Sequence, residues 1–388
     1  MFEVYAILAI CTLLAYQVTI QTDMERNDGI FTRFRDDSTT MFLLLFIFVT
    51  LVLFAGLRTR MNDTATYILN FQRSVPDSAN DIFNISWKLG DNPLFELYQR
   101  FIKTFISSSG NSLIFITAII VEVSIIQFMY MYSYDFGIST YIFITFTVLA
   151  FTMAALKQSL SMAIAIWAIP EISRYKVVKP ILIIVIASLI HPYVMLTAVA
   201  FLFTGRGVWN RNIYILMAVT MVIMLTFNSF IQGVLSVTDV IGEGYELSSF
   251  EQGTGVGIPR IAAYAIVPFF SFISRNELRE HSEPLQDLFV NLSLIAFFLS
   301  LVSRIGGSVL IGRLPNYFGI YICMSLPYVL CSNNSFIERN RNWIFAFLFV
   351  AYLFFYHTYY KRYFIAWDIH MFDSVYNRIT FGELLQRW

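Results

Sequence analysis

Residues 41–57 read MFLLLFIFVTLVLFAGL, a run with no charge in which Thr50 is the only polar side chain. A helix that crosses the hydrocarbon core of a bilayer needs about 20 predominantly apolar residues. Comparable apolar runs lie near residues 3–20, 112–132, 138–156, 158–171, 178–203, 212–230, 260–274, 286–303, 313–331 and 342–360. Together these runs predict roughly eleven transmembrane helices, within a range of about 10–12.

The composition excludes several classes of protein. Apolar residues make up 57% of the 388 and charged residues 13%, whereas soluble domains carry about 25% charge. The 26 basic and 26 acidic residues give a net charge of zero, which argues against a nucleic-acid-binding protein. The three cysteines lie in apolar runs without metal-ligand spacing. We therefore predict one all-α integral membrane domain over residues 1–388, because helices satisfy their own backbone hydrogen bonds in lipid.

The distribution of basic residues predicts the orientation. The first apolar run has no Lys or Arg before it and no cleavage site after it, so we do not expect a signal peptide. Short cytoplasmic loops are enriched in Lys and Arg. Residues 178–203 are interrupted by His191-Pro192, which makes them either one kinked span or a hairpin that returns to the same face. We favour the hairpin, because it puts the basic loops on the cytoplasmic side; these are 21–40, 170–180, 204–212, 275–285 and 332–341. One long helix through 138–171 would instead move every later loop to the opposite side of the membrane.

This orientation gathers several polar groups at the outer face of the membrane. They are Arg58, Arg60, Asp63, Lys157, Gln158, His191 and Arg313. Paired arginines suit a phosphate group, because each guanidinium offers a planar fork of donors. The alternative is that each arginine only anchors a helix end by reaching into the interface. His191 suits proton transfer near neutral pH, or it is a hydrogen-bonded helix breaker.

Two hydrophilic loops stand out. Residues 58–110 contain an amphipathic helix that begins at Asn92-Pro93, and it lies either in the membrane interface or over the bundle. Residues 231–259 are acidic and rich in glycine, and we expect a flexible outer loop, either a lid or an ordinary connection. Glu122 lies in the middle of a span, where a carboxyl is either functional or paired with a buried base or hydroxyl.

The order of four motifs resembles the EpsG family, which belongs with the Wzy-type O-antigen and capsule polymerases. The motifs are Arg58-x-Arg60-x-x-Asp63-x-x-x-Tyr67, Lys157-Gln158, Ala187-x-x-x-His191 and Arg313-Leu-x-x-Tyr317-Phe318. The chain departs from the family in two places. The family usually has Arg-Gln where this chain has Lys157-Gln158, and the family histidine is often followed by Ser where this chain has Pro192.

The resemblance implies a GT-C-type glycosyltransferase that polymerises polyprenyl-diphosphate-linked oligosaccharide at the outer face of a bacterial plasma membrane. For such a reaction the candidates for a diphosphate clamp are Arg58, Arg60, Lys157 and Arg313. The candidates for further substrate contacts are Tyr67, Gln158, Glu96, Tyr317 and Glu122. The general base would be His191 or Asp63. We prefer His191, because flanking arginines should lower the pKa of Asp63.

We expect no metal and no other cofactor, since the chain has no Asp-x-Asp motif and basic side chains can stabilise the leaving group. The expected partners are the lipid-linked substrate, membrane lipid, and a chain-length regulator and flippase of the same pathway. The alternatives are a flippase for lipid-linked oligosaccharide, a single-sugar GT-C transferase or an O-antigen ligase. A transporter would more often show a second broken helix, and the sequence has one clear break.

Overall fold

The structure is a computed structural model that describes residues 2–27, 29–33, 38–59, 61–76, 78–146, 148–241, 255–305, 309–367 and 381–386. Within these ranges nearly all regular structure is helical, in agreement with the all-α prediction. The helices, in chain order, are α1 (Phe2–Gln21), α2 (Ser38–Gly56), α3 (Thr64–Ser74), α4 (Pro93–Phe105), α5 (Gly110–Tyr132), α6 (Phe136–Thr145), α7 (Val148–Ala154), α8 (Leu156–Ala165), α9 (Ala168–Ser173), α10 (Val178–Ser188), α11 (Arg211–Leu225), α12 (Phe227–Ile241), α13 (Ile258–Ile273), α14 (Arg275–Glu280), α15 (Pro284–Ile305), α16 (Val309–Arg313), α17 (Gly319–Leu330), α18 (Ser335–Trp367) and α19 (Phe381–Gln386).

Shorter elements complete the described part of the chain. The 3-10 segments are Ala79–Asp81, Leu89–Asp91, Pro192–Phe203 and Leu314–Phe318. The strands β1 (Met24–Asn27) and β2 (Ile30–Arg33) form an antiparallel hairpin between α1 and α2.

Five described helices are long and apolar enough to cross a membrane. They are Val4–Gln21, Ser38–Gly56, Gly110–Tyr132, Pro284–Ile305 and Ser335–Lys361. Two bent pairs, α6 with α7 and α11 with α12, raise the number to seven if each pair is one span. The chain is therefore a multi-pass helical membrane protein. The helices α10 and α13 and the segment Pro192–Phe203 are apolar but shorter than these spans. The count of about eleven spans and the GT-C architecture stay predictions.

The most buried helices lie at the centre of the fold, and other helices turn apolar side chains outward. The helices α5 and α15 are mostly buried, and every residue of α17 is buried. In contrast, α1, α2 and α18 expose large side chains such as Leu13, Phe42 and Phe354. Exposed apolar surface of this extent is costly in water but matches the hydrocarbon of a bilayer. The helix α11 exposes Met221 and Leu225 in the same way, so these four helices have lipid-facing surfaces.

The predicted break in residues 178–203 is present. The helix α10 ends at Ser188, His191 is extended (φ −154°, ψ 117°), and a 3-10 segment begins at Pro192. Proline lacks the N–H that would continue the helix, and it disfavours helical backbone at the preceding residue. The two halves also pack against each other, which is the arrangement that a hairpin requires.

The first part of the predicted loop 231–259 is helical. Residues up to Ile241 belong to α12, and residues 242–254 lie outside the described residues. The sequence contains the reason, because Phe227, Ile231 and Leu235 are spaced four apart and therefore share one helix face. Ile231 packs there with Val302 and Ile311 in a small apolar cluster.

The amphipathic helix α4 begins at Pro93 as predicted, but its basic face points inward. Arg100 is buried, where it pairs with Glu96 and donates to the Asp81 carbonyl. Lys103 Nζ donates to three carbonyls at the end of α3, at distances of 3.0, 2.9 and 2.6 Å. The exposed aromatic side chains of α4 lie on the other side. An apolar face turned outward is the arrangement of a helix that lies in a membrane interface.

Candidate functional site

Arg58 joins the end of α2 to the start of α3. Its buried guanidinium donates from Nε to Thr64 Oγ1 at 3.2 Å and from Nη1 to the Ala55 carbonyl. Ala55 lies in the last turn of α2, where carbonyls have no partner within the helix. Arg58 therefore satisfies a carbonyl at the helix end and places a fixed positive charge there. Arg60, the second arginine of the motif, lies outside the described residues.

The backbone is strained immediately before Asp63. Met61 has a φ of 148° and Asn62 a φ of 48°. Such conformations cost non-glycine residues on the order of 1–3 kcal/mol each and persist where surrounding contacts hold them. Here Met61 is buried, and the Asn62 amide donates to the Ala154 carbonyl at 3.3 Å. The turn that presents Asp63 is therefore fixed by its surroundings.

Asp63 and Arg313 form an ion pair, with 3.2 Å between Oδ2 and Nη2. The two residues are 250 positions apart in the chain, and both side chains are partly exposed. A partly exposed pair contributes at most about 1 kcal/mol to stability. Its main consequence is geometric, because it joins two of the sequence motifs at one place.

Lys157 and Tyr67 belong to the same region. Lys157 Nζ lies 5.9 Å from the centre of the Phe95 ring, and Tyr67 packs edge-on against that ring with 6.0 Å between centroids. Burial and then the Asp63 charge raise the pKa of Tyr67 to about 12, while contacts with the Lys157 backbone and the Arg313 charge act in the opposite direction. Tyr67 therefore lies among three of the predicted site residues.

His191 is held by Tyr317. The imidazole Nδ1 lies 2.7 Å from the tyrosine hydroxyl, and both residues are buried. Lys157 and Arg313 both act electrostatically on His191. Burial and two neighbouring cations favour the neutral ring. A neutral imidazole is the form that can accept a proton from a substrate hydroxyl, and the same burial and cations make this ring a weaker base than a free histidine.

An apolar groove borders the histidine. The Leu94 amide, at the start of α4, donates to the Leu189 carbonyl at 3.0 Å, which places α4 against the break before His191. The groove has a volume of about 500 Å³. Its walls are Ile82, Phe83, Leu94, Leu97, Tyr98, Phe101, Phe105 and Ile190. The site thus combines a polar region with an adjoining apolar surface that opens outward.

Three of the residues predicted as further substrate contacts have other surroundings. Gln158 is buried, and its Oε1 has no hydrogen-bond partner among the residues that the structure describes. Glu122 is buried, accepts from Thr152 Oγ1 at 2.8 Å and experiences the charge of Arg58. These contacts match the alternative in which Glu122 is not functional but is paired with a buried hydroxyl or base. Glu96 pairs with Arg100 within α4.

Sequence reasoning missed a polar contact beside Tyr317. Arg260 Nη2 donates to Asn316 Oδ1, and the Tyr264 hydroxyl approaches the same oxygen at 3.5 Å. The sequence contains little that indicates this contact. Arg260 resembles an ordinary anchor at the start of an apolar run, and Asn316 is a single amide between two motif residues.

The four motifs therefore meet in one place as far as the chain is described. Fixed cations beside a buried imidazole can bind an anion and move a proton. In the described ranges, no three His, Cys, Asp or Glu side chains cluster closely enough to hold a metal ion.

Comparison with known proteins gives one match. A family model described as the EpsG family matches residues 41–367. That range includes every predicted site residue. No curated protein and no solved structure matches the chain.

Proposed function

The chain belongs to the EpsG family of Wzy-like polysaccharide polymerases, and from this premise we propose that it joins polyprenyl-diphosphate-linked oligosaccharide units at the outer face of a bacterial plasma membrane. The growing glycan leaves its own lipid diphosphate and is transferred to the non-reducing end of another lipid-linked unit. In this step an acceptor hydroxyl oxygen forms a bond to the anomeric carbon of the donor. The bond from that carbon to the diphosphate oxygen breaks, and polyprenyl diphosphate leaves with the electron pair.

One observation carries the proposal. The short segment from Arg313 to Tyr317 contacts Asp63 at one end and His191 at the other. The cation for the diphosphate and the tyrosine that holds the base for the hydroxyl therefore lie a few residues apart on the same segment. Transfer requires both groups to act on neighbouring atoms.

The roles follow from the charges. Arg58, Lys157 and Arg313, with Arg60, stabilise the negative charge that develops on the leaving diphosphate. His191 takes the proton of the acceptor hydroxyl, and Asp63 orients Arg313. Because basic side chains neutralise the leaving group, the proposed reaction needs no metal. We expect EDTA to leave the rate unchanged, and a loss of activity restored by Mg²⁺ would contradict this part of the proposal.

The apolar groove fits the lipid part of the substrate. A polyprenyl chain is a long hydrocarbon, and the groove is lined by apolar and aromatic side chains beside His191. Entry along α4 would keep the chain in the bilayer while its diphosphate reaches the cations. The lipid then never has to cross water, which would cost about 25 cal/mol per Å² of apolar surface.

The decisive experiment uses purified protein with polyprenyl-diphosphate-linked units from the host strain. We expect a ladder of products on a gel. A single added unit would indicate a transferase or ligase, and an unchanged substrate would point to a transporter. Arg58→Ala and Arg313→Ala should abolish the ladder while the protein remains in the membrane.

A further inference from the structure

Arg260 occupies a defined place outside the four motifs. It lies in the first turn of α13, and its guanidinium donates to Asn316 Oδ1. The guanidinium carbon lies 5.9 Å from the centre of the Tyr264 ring. Tyr264 is buried, and Phe146 packs edge-on against it with 4.7 Å between ring centroids. The arginine is thus supported by an aromatic side chain that is itself fixed in the core.

Its partner Asn316 lies in the middle of a segment that its own backbone holds weakly. Leu314–Phe318 is a five-residue 3-10 turn, and 3-10 hydrogen bonds have poorer geometry than those of an α-helix. Pro315 has no backbone N–H to contribute. Side-chain contacts must therefore supply much of what keeps this turn in one conformation.

The same turn determines the geometry of the site. Arg313, immediately before it, pairs with Asp63, and Tyr317, within it, contacts His191. In a 3-10 helix residues three apart lie on the same side, so Asn316 shares a side with Arg313. The Arg260 contact is therefore placed between the two functional contacts of the turn.

We propose that Arg260 is a positioning residue, which acts through Asn316 to hold the turn that carries Arg313 and Tyr317. The inference rests on the proposed polymerase function. Displacement of reacting groups by about 1 Å can lower a rate by on the order of 10²-fold. Loss of the Arg260 contact should therefore lower kcat strongly and leave the KM for the lipid-linked substrate within about twofold of wild type, since the rate effect comes from misplacement.

The test compares four variants of the full-length protein in the gel assay. Arg260→Gln should lose activity, because the glutamine amide ends two bonds short of the position of Nη2 and does not reach Asn316 Oδ1. Arg260→Lys should keep part of it, because one donor to Asn316 remains. Asn316→Asp should keep most activity, because the new carboxylate forms an ion pair with Arg260 that preserves the contact while neutralising the arginine. Arg275→Ala is the matched control, since Arg275 also lies over an aromatic ring, 4.2 Å from the centre of Phe272, but follows the opposite end of α13 from Arg260.

The outcomes separate the possible explanations. If Asn316→Asp loses activity as completely as Arg260→Gln, Arg260 acts through its free charge on the substrate and the positioning role is wrong. Full activity of Arg260→Gln would also overturn it. Thermal unfolding of each purified variant controls for folding, and a misfolded Arg260→Gln leaves Arg260→Lys and Asn316→Asp to decide. An inactive wild-type protein would instead contradict the proposed function itself.

Discussion

The His191 imidazole and the Tyr317 hydroxyl lie 2.7 Å apart although 126 residues separate them in the chain. The contact joins the break between α10 and its 3-10 continuation to the 3-10 turn before α17. Both partners are therefore on irregular backbone beside regular helices. A buried hydrogen bond of this kind fixes the orientation of the ring and determines which nitrogen remains available.

Replacement of His191 should remove the proposed base. We expect His191→Ala to lower kcat by about 10²–10⁴-fold, the usual contribution of general base catalysis. Tyr317→Phe keeps the ring and removes the hydroxyl that contacts His191, so its loss of activity should be smaller. Turnover of purified variants on lipid-linked units measures both effects. A wild-type rate for His191→Ala would transfer the role to Asp63 or remove it altogether.

The Asp63–Arg313 pair should matter more for activity than for stability. The pair is partly exposed, so its loss should change the free energy of unfolding by at most about 1 kcal/mol. Arg313→Ala should nevertheless abolish polymer, whereas Asp63→Asn should retain some activity if Asp63 only orients the arginine. Rates and unfolding midpoints of both variants decide the matter. If Asp63→Asn is as inactive as His191→Ala, Asp63 takes part in the chemistry.

The sequence predicted the kind of fold better than the number of spans. Apolar runs predict transmembrane helices, but they do not indicate where a helix bends. Residues 138–156 form α6 and α7, and residues 212–230 continue into α12 across a bend of 99°. His191-Pro192 was the exception, because a proline has no N–H for the next helical hydrogen bond and disfavours helical backbone at the residue before it. The remaining bends depend on packing between distant helices.

Contacts between distant parts of the chain also limited the prediction of the site. Motif order indicated which residues belong together, and Asp63, Arg313, His191 and Tyr317 do contact each other in pairs. The surroundings of Arg100 could not be anticipated, because a charge on an amphipathic helix ordinarily faces water. Here it faces the protein and pairs with Glu96. Only the tertiary structure determines which side of such a helix the rest of the chain covers.

Lys103 should stabilise the loop that carries Asp63. Its ammonium group satisfies the carbonyls of Phe71, Gln72 and Val75 at the end of α3. Hydrogen bonds to charged groups contribute about 1.5–3 kcal/mol, so Lys103→Met should lower the unfolding midpoint measurably. Lys88→Met is the control, since Lys88 is exposed on the same loop. Equal midpoints for the two variants would show that the Lys103 contacts contribute nothing.

A charge in the apolar groove should weaken recognition of the polyprenyl chain specifically. Phe101 is 50% exposed in the groove wall, so Phe101→Glu should fold, yet it places a carboxylate where hydrocarbon is expected to lie. We expect KM for the natural substrate to rise by on the order of tenfold, which corresponds to about 1.4 kcal/mol. A substrate with a much shortened lipid should show little difference between variant and wild type. Phe336→Glu is the matched control, because Phe336 is 49% exposed but lies outside the groove. An equal effect of the two substitutions, or an effect of Phe101→Glu that ignores lipid length, would mean that the groove does not bind the chain.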